Sequence, residues 1–395
     1  TDGSQTLCDQ LSVMDRRIRV VHLDRNGGPG GARNAGLALA GGEYVCYLDG
    51  DDAIAEGALA RLADAVTHCE RPDVLQVNYC ELMGHVDVPP DSDLQPTEAH
   101  SIPADAFLAA SLDRREHKFL LRQFVMRREM LLREGLLFSQ CSINEDVEFA
   151  IRALLVADRV GVVGGNFYLY RVRLSGSLVT EGIKFHWQIL EILVNVLRLT
   201  AEPKLSDTRR CWALYNAGTM IHEFEQFAGV VPEADVAQHV DLFAVIEEHL
   251  PALVPFTANG GLLWHIRNAG ALIGAQTFFR ERSQGVHQML GGVSRRHLFA
   301  FPATRKTLHF MNVARALGYR FAGMLDNDVK KQGLLLAGYA ILKPETVTLC
   351  FDNRDSVFVI VSASTRRTRD VLCAQLRGYG LEDGKHFTCL ECDLD

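Results

Sequence analysis

Three carboxylates crowd one short stretch, Asp49-Gly50-Asp51-Asp52, directly behind the apolar pair Tyr47-Leu48. Such a cluster repels itself unless a cation lies between the oxygens. Mg²⁺ or Mn²⁺ takes oxygen ligands, commonly one or two carboxylates with the rest from substrate phosphates and water. The competing assignment is local, with Asp51 or Asp52 capping a helix that opens at Ala53. A second acidic group follows in Asn144-Glu145-Asp146-Val147-Glu148-Phe149. A positioned carboxylate there can take the proton of an attacking hydroxyl, or the acids can simply complement a helix dipole. Upstream, Asn26-Gly27-Gly28-Pro29-Gly30-Gly31-Ala32-Arg33-Asn34 is a glycine-rich loop that feeds a helix and carries a fixed cation. A helix start of that kind favours anions, and Arg33 offers two parallel donors to them. It is not a Walker loop, because no Gly-Lys-Ser/Thr follows. A plain surface loop is the alternative.

The elements that must hold these groups are legible as a rhythm. Arg17–Leu23 alternates polar and apolar residues and predicts a strand. Gly31–Leu39 predicts a helix, Glu43–Leu48 a short buried strand, Ala53–His68 a helix with Leu59, Leu62 and Val66 on one face, and Asp73–Cys80 a strand. This order predicts a mostly parallel sheet with helices on both faces. The acids of 49–52 then lie outside a strand's carboxyl end, where ligands of open α/β sheets collect. Residues 84–105, with four of the twelve prolines, read as a loop or hairpin excursion. Residues 104–158 read as mainly helical and Phe167–Val172 as one further strand. From 184 to 290 the chain reads as helix after helix. From 296 it returns to alternation, with strands at His297–Ala300, Tyr319–Leu325 and Ser356–Ser362 and helices at Thr304–Leu317 and Arg366–Tyr379. Three domains follow from this: 1–183, 184–295 and 296–395.

The chain has 395 residues, 48% hydrophobic and 23% charged, which excludes disordered and collagen-like classes. With 41 basic against 49 acidic residues it has no electrostatic footprint for general nucleic-acid binding. No apolar run reaches the roughly 18–20 residues of a membrane span. The ten cysteines are scattered, which reads as reduced thiols in a cytoplasmic protein. Peripheral membrane contact through the helical region is the alternative location. Cys389 and Cys392 form the one Cys-x-x-Cys; with His386 as a third ligand there is no fourth for zinc.

The double motif carries a resemblance. Asn26-Gly27-Gly28 with Ala32-Arg33-Asn34 and Gly36, then Gly42-Glu43-Tyr44 with Leu48-Asp49 and Asp51-Asp52, resembles family 2 glycosyltransferases of the GT-A fold. The resemblance covers residues 1 to about 182. It implies a nucleotide-sugar donor, a UDP-sugar above others, whose diphosphate is held by divalent Mn²⁺ or Mg²⁺, and a carbohydrate acceptor. It places Asp49 and Asp51 at the metal, and Asp49, Asn26, Gly27, Gly28, Arg33 and Asn34 at the donor. Glu145-Asp146 matches the family's later acidic pair, with Asp146 as the base. Tyr168–Ser177 resembles the family's closing strand, where Arg173 and Ser177 reach toward donor phosphates or acceptor. The processive Gln-x-x-Arg-Trp motif is absent, so transfer is expected to be non-processive. By the same resemblance, Asp2 matches a repeat after the family's base-binding strand. Roughly forty residues are then expected before Thr1, with weak donor binding by the chain alone.

Gly318–Asp328, with Lys331-Gln332-Gly333 and Lys343-Pro344, resembles a Rossmann-like module of polysaccharide-biosynthesis proteins. Its usual glycine turn is replaced by Phe299-Ala300-Phe301-Pro302-Ala303-Thr304, which holds no glycine, so close approach to a pyrophosphate is not expected. Two other functions compete with transfer. One is a scaffold that keeps the fold without the activity, and the other is an oxidoreductase on the last domain, which lacks its glycine fingerprint. His186, Trp187, Trp212 and Trp264 offer sugar-stacking surfaces, though core packing is the stronger expectation.

Overall fold

The computed structural model describes residues 3–83, 99–116, 120–141, 144–172, 186–225, 236–253 and 261–291. From 293 on it describes all but 294–295, 305–306, 308–309, 312–313, 316–317, 330, 337–338, 350–353, 364–365 and 391–395. The fold is mixed α/β and divides into two compact units, residues 1–172 with 202–213, and 173–201 with 214–395.

The first unit is built on one sheet. Its strands are β1 (Tyr44–Val45), β2 (Ala53–Ile54), β3 (Val74–Met83), β4 (His100–Pro103), β5 (Phe124–Arg127) and β6 (Arg159–Val172), in the order β1-β5-β3-β6-β2 with β4 also on β6. β3 and β6 pair in parallel, whereas β5 runs antiparallel to both β1 and β3. Its helices are α1 (Ser4–Met14), α2 (Gly28–Leu39), α3 (Ala58–His68), α4 (Ala104–Asp113), α5 (Arg128–Arg133) and α6 (Glu145–Val156). The central pair is pinned at its start by Asp73, whose carboxylate accepts the Asp158 N–H at 2.7 Å. α6 buries Phe149, Ile151 and Leu154 completely; each such side chain contributes about 1.5–3 kcal/mol.

Several expectations are corrected here. Arg17–Leu23 forms no strand. Its alternating pattern is present, but among the described residues no strand pairs with it, and Ile18, Val21 and Leu23 are exposed. The strand over Glu43–Leu48 shrinks to Tyr44–Val45, which among the described residues pairs with β5 alone. The helix expected at Ala53 begins at Ala58, behind β2 and a left-handed Gly57. The stretch 104–158 contains β5 among its helices, and the strand seen at Phe167 extends back to Arg159. The proline-rich 84–98 lies outside the described residues.

The second unit contains α7 (His186–Thr200), the end of α8 (Asp207–Glu225), and helices Val240–Glu248, Leu250–Leu253, Leu262–Ala269 and Ala271–Leu290. Trp187 stacks on His239 at 3.8 Å and meets Phe224, Phe243 and Phe279. A Cβ on Gly274 would lie 2.3 Å from the His265 carbonyl, so only glycine allows these two helices to approach so closely. Trp212, in the first unit, is wholly buried with its indole N–H on Ser111 Oγ at 2.9 Å, while Trp264 is exposed. Core packing thus accounts for Trp187 and Trp212. The side chain of His186 lies outside the described residues.

The same unit carries a second sheet of β7 (His297–Phe301), β8 (Phe321–Leu325), β9 (Leu335–Leu336), β10 (Tyr339–Leu342), β11 (Val357–Val361) and β12 (Phe387–Cys389). The order is β12-β11-β7-β8-β10-β9, parallel except for β9. Cys392 lies outside the described residues. Its partner Cys389 sits 3.1 Å from Cys373 Sγ, and burial, with Cys373 beside it, pushes its thiol up to about 12. His386 is already committed, accepting from Glu382 N and bonding Asp355 Oδ1 at 2.8 Å. No described helix is long and apolar enough to cross a membrane.

Candidate active site

β1 and β2 lie at opposite edges of the first sheet, so the chain between Val45 and Ala53 must cross the strand ends. The acidic residues sit on that crossing. They form a turn, with Asp52 N donating to Asp49 O at 3.1 Å, and do not cap a helix. β6 holds the turn from below. The Tyr168 hydroxyl donates to Asp52 Oδ2 at 2.7 Å and accepts the Asp49 N–H at 3.1 Å. Arg171 adds its N–H to Asp52 Oδ1 at 2.8 Å and its Nε to the Asp51 carbonyl at 3.0 Å. Burial raises the Asp52 carboxyl above its usual range, and the charges of Asp51 and Asp49 add to that. The crowding read from the sequence is therefore real, and the turn is held by the Tyr168 hydroxyl, by backbone N–H groups and by the Arg171 guanidinium.

α6 brings the second acidic group. Asn144 adopts a left-handed conformation ahead of it, and Glu145, Asp146 and Glu148 fill the first turn, where the dipole favours them. Glu145 and Glu148 are buried and Asp146 is half-buried. The glycine-rich stretch is helical from Gly28, with the Asn26 carboxamide accepting the Gly28 N–H at 2.9 Å. Gly30 is needed for contact. A Cβ there would stand 2.6 Å from the Ser139 carbonyl and 3.6 Å from Glu145 Cγ. α2 can therefore lie directly against the segment that precedes α6. Asn34 clamps that segment, donating to the Phe138 carbonyl at 3.0 Å and accepting its N–H at 2.8 Å.

Arg33 joins the two acidic motifs. Its Nη1 donates to Glu145 Oε1 at 2.7 Å and its Nη2 to Asp49 Oδ1 at 2.8 Å. Burial opposes its charge, but the two carboxylates outweigh that and hold its pKa above the ordinary arginine value. Below it Phe138 stacks on Phe149 at 3.8 Å, with Tyr47 edge-on to both. Burial raises Asp146, and Asp49 adds to the shift, while Arg33 and Arg122 pull the other way. Arg122 itself is held over the Tyr170 ring at 4.0 Å and the Tyr79 ring at 5.4 Å. A cleft of about 470 Å³ opens beside Arg33, Tyr47, Leu48, Asp49 and Gly50, within the size range of small-ligand sites. The buried Tyr47 hydroxyl finds no partner among the described residues.

Of the residues expected from sequence, Arg33, Asp49, Glu145 and Asp146 thus come together, with Asp51 on the same turn. Asn26 and Asn34 shape α2 and its packing, and Arg173 and Ser177 lie outside the described residues. Tyr168, Arg122 and Tyr47 were missed. Only the position of Tyr168 in the closing strand hinted at a role, and no spacing rule ties it to Asp52. Removing its hydroxyl strands the Asp49 N–H and one Asp52 oxygen. Tyr168→Phe should cost about 1.5–3 kcal/mol, the range for a bond to a charged group. Denaturant unfolding measures this, and an unchanged midpoint would show that the clamp is not needed.

Asp49 and Asp51 offer hard oxygen donors suited to Mg²⁺ or Mn²⁺. Among the described residues no three His, Cys, Asp or Glu side chains are grouped to hold a metal on their own. Asp49 and Asp51 could therefore hold such a cation only with further oxygen ligands from outside these side chains.

Residues 1–129 match the family model described as glycosyl transferase family 2. Glycosyltransferase GlyG of Streptococcus pneumoniae is 27% identical over 195 residues, 47% of this chain and 62% of that protein. Succinoglycan biosynthesis protein ExoO of Rhizobium meliloti is 32% identical over 175 residues, 42% of this chain and 48% of that protein. The chain thus spans roughly half to three-fifths of the length of these relatives. Among solved structures, S. aureus TarS 1-349 in complex with UDP-GlcNAc aligns with a TM-score of 0.51 at 20% identity, over 72% of this chain and 80% of that one. At that identity the likeness concerns the fold, which is GT-A-like.

Proposed function

We infer that this chain, whose residues 1–129 carry the family 2 glycosyl transferase sequence, is a nucleotide-sugar-dependent glycosyltransferase acting with inversion on an acceptor hydroxyl. The observation that carries the reading is the Arg33 bridge, which sets the acidic turn and the Glu145-Asp146 pair around one site. Asp49 and Asp51 hold the donor diphosphate together with a divalent cation. Such a cation supplies charge stabilisation to a leaving diphosphate. Asp146 takes the proton of the acceptor hydroxyl, and Glu145 fixes Arg33 beside it. Arg33 lines the cleft and is the cation assigned to the donor phosphates. Arg173 and Ser177 remain assigned to the donor by motif alone.

A UDP-sugar donor is supported by the fold neighbour solved with UDP-GlcNAc, and a glycan or polysaccharide-precursor acceptor by the relative named for succinoglycan biosynthesis. The reading keeps the protein in the cytoplasm, with domain limits at 183 and 295.

The test is UDP release from a panel of UDP-sugars with Mn²⁺ present. Release should require the metal, stop with chelator, and fall roughly 10²-fold or more in Asp51→Asn, the scale of losing one charge-stabilising group. Release that persists with chelator and in Asp51→Asn would remove the metal from the reading. No turnover of any nucleotide sugar, in a chain that still melts cooperatively, would remove the activity.

A further inference from the structure

Two thiols of the second unit meet between a helix and a strand. The helix Arg366–Gly378 buries Leu372, Cys373 and Leu376, which fall at the three- and four-residue spacing of one helical side. They share a core with Val357, Val359, Val361, Leu381 and Phe387. The outermost strand, β12, ends at Cys389, which is in parallel register with Val361 of β11 and packs against the same core. Cys373 Sγ and Cys389 Sγ are 3.1 Å apart.

Both sulfurs are held by the elements that carry them. Between helix and strand the chain turns at Gly380, with φ 78°, and buries Leu381. It then ties His386 to Asp355 Oδ1 at 2.8 Å and to Glu382 N at 2.9 Å. One residue past Cys389, Leu390 N donates to the Val361 carbonyl at 2.8 Å. The end of β12 is thus fixed to β11, while Cys373 is fixed by the buried helix face. A disulfide needs an S–S distance of about 2.05 Å, so closure asks for a shift of roughly 1 Å. Side-chain torsions supply that without moving either element.

The pair is also open to a small oxidant. β12 is the edge strand of its sheet, and Cys389 is half-buried where Cys373 is buried. At neutral pH Cys389 keeps its proton, because burial and the neighbouring Cys373 push its thiol up to about 12. It therefore enters as the second thiol, after Cys373. Burial slows the first attack relative to an exposed thiol, while the 3.1 Å spacing makes the second step intramolecular. In a reducing compartment a pair of this kind stays as thiols until an oxidant reaches it.

We propose that Cys373 and Cys389 form a reversible oxidation site, closing to a disulfide that ties the helix Arg366–Gly378 to the edge strand β12. The oxidant is a peroxide. The Cys373 thiolate attacks one peroxide oxygen, the O–O bond breaks, and a sulfenic acid forms as hydroxide leaves. The Cys389 sulfur then attacks the Cys373 sulfur, so that an S–S bond forms and the S–O bond breaks. With hydrogen peroxide, two thiols and one peroxide give one disulfide and two waters. A dithiol reductant reverses the step. The site belongs to the second unit and does not rest on the transferase reading.

The test is peptide mapping of the full chain after hydrogen peroxide, alkylation of the remaining thiols and digestion, alongside melting curves. The expected result is a peptide pair linked through Cys373 and Cys389, which dithiothreitol separates. The oxidised chain should melt in its second unit roughly 6–12 °C higher, the effect of closing a short loop in the unfolded state. Cys389→Ser should lose both the link and the shift, whereas Cys392→Ser should keep both. No link between Cys373 and Cys389, under peroxide that oxidises the exposed Cys8 and Cys211, would overturn the proposal. So would a link from Cys389 to Cys392, or a midpoint that fails to rise when the Cys373–Cys389 link is present.

Discussion

Asp146→Asn should lower the rate of sugar transfer by roughly 10²–10⁴-fold, the contribution of a positioned general base. Donor affinity should stay at its starting value, because the donor is assigned to the acidic turn and Arg33. The pH profile gives a second readout of the same carboxylate. Burial raises Asp146 above the ordinary carboxylate range, and Asp49 adds to it. A base works only when ionised, so activity must be lost as pH falls through that raised value, earlier than for an exposed aspartate. Arg122 favours the ionised form. Arg122→Gln should therefore move the acid limb still higher while leaving the plateau in place. Full transfer in Asp146→Asn, or an acid limb in the ordinary carboxylate range, would assign the base elsewhere.

The site was readable in sequence where its chemistry depends on residue type and short spacing. The carboxylates of 49–52 and of 145–148 stand out because acids seldom crowd at the end of an apolar stretch without a partner. Their mutual position was not readable. Arg33 meets Glu145 across 112 positions, and Tyr168 meets Asp52 across 116. Contacts of that kind are set by sheet order, which leaves no periodicity in the chain. The fold shows the same division. β11, fully buried at all five positions, was plain from composition. β5 was hidden because Phe124–Met126 is an apolar run of only three residues ahead of Arg127, and its strand character comes from β1 and β3 on either side. Arg17–Leu23 erred the other way. Its alternation is the mark of a strand, but a strand exists only where a neighbour takes its backbone donors and acceptors.

Arg33→Met should destabilise the first unit and stop transfer together. The guanidinium is 15% exposed and Glu145 6%, so losing it leaves a buried carboxylate without its cation. Breaking a buried pair from one side costs about 3–5 kcal/mol, and the lower end applies because Glu145 can take up a proton. Asp49, at 45% exposed, adds little. At about 2–4 °C per kcal/mol, a loss of about 3 kcal/mol places the melting midpoint roughly 6–12 °C lower. The sign of its pH dependence follows from Glu145. Burial already raises that carboxyl, and removing Arg33 raises it further. The folded variant then binds more protons than the unfolded chain, so its stability falls as pH rises from the unfolded carboxylate value through the folded one. The deficit against the unmodified protein should accordingly shrink as the pH is lowered. Arg33→Lys should recover part of the stability, since one ammonium cannot serve two carboxylates in the fork geometry. The double variant Arg33→Met with Glu145→Met separates fold from chemistry. Replacing both members of a buried pair by apolar groups is close to neutral for stability, so the midpoint should return while transfer does not. A single Arg33→Met that melts and transfers like the unmodified protein would mean that the two acidic motifs do not depend on this bridge.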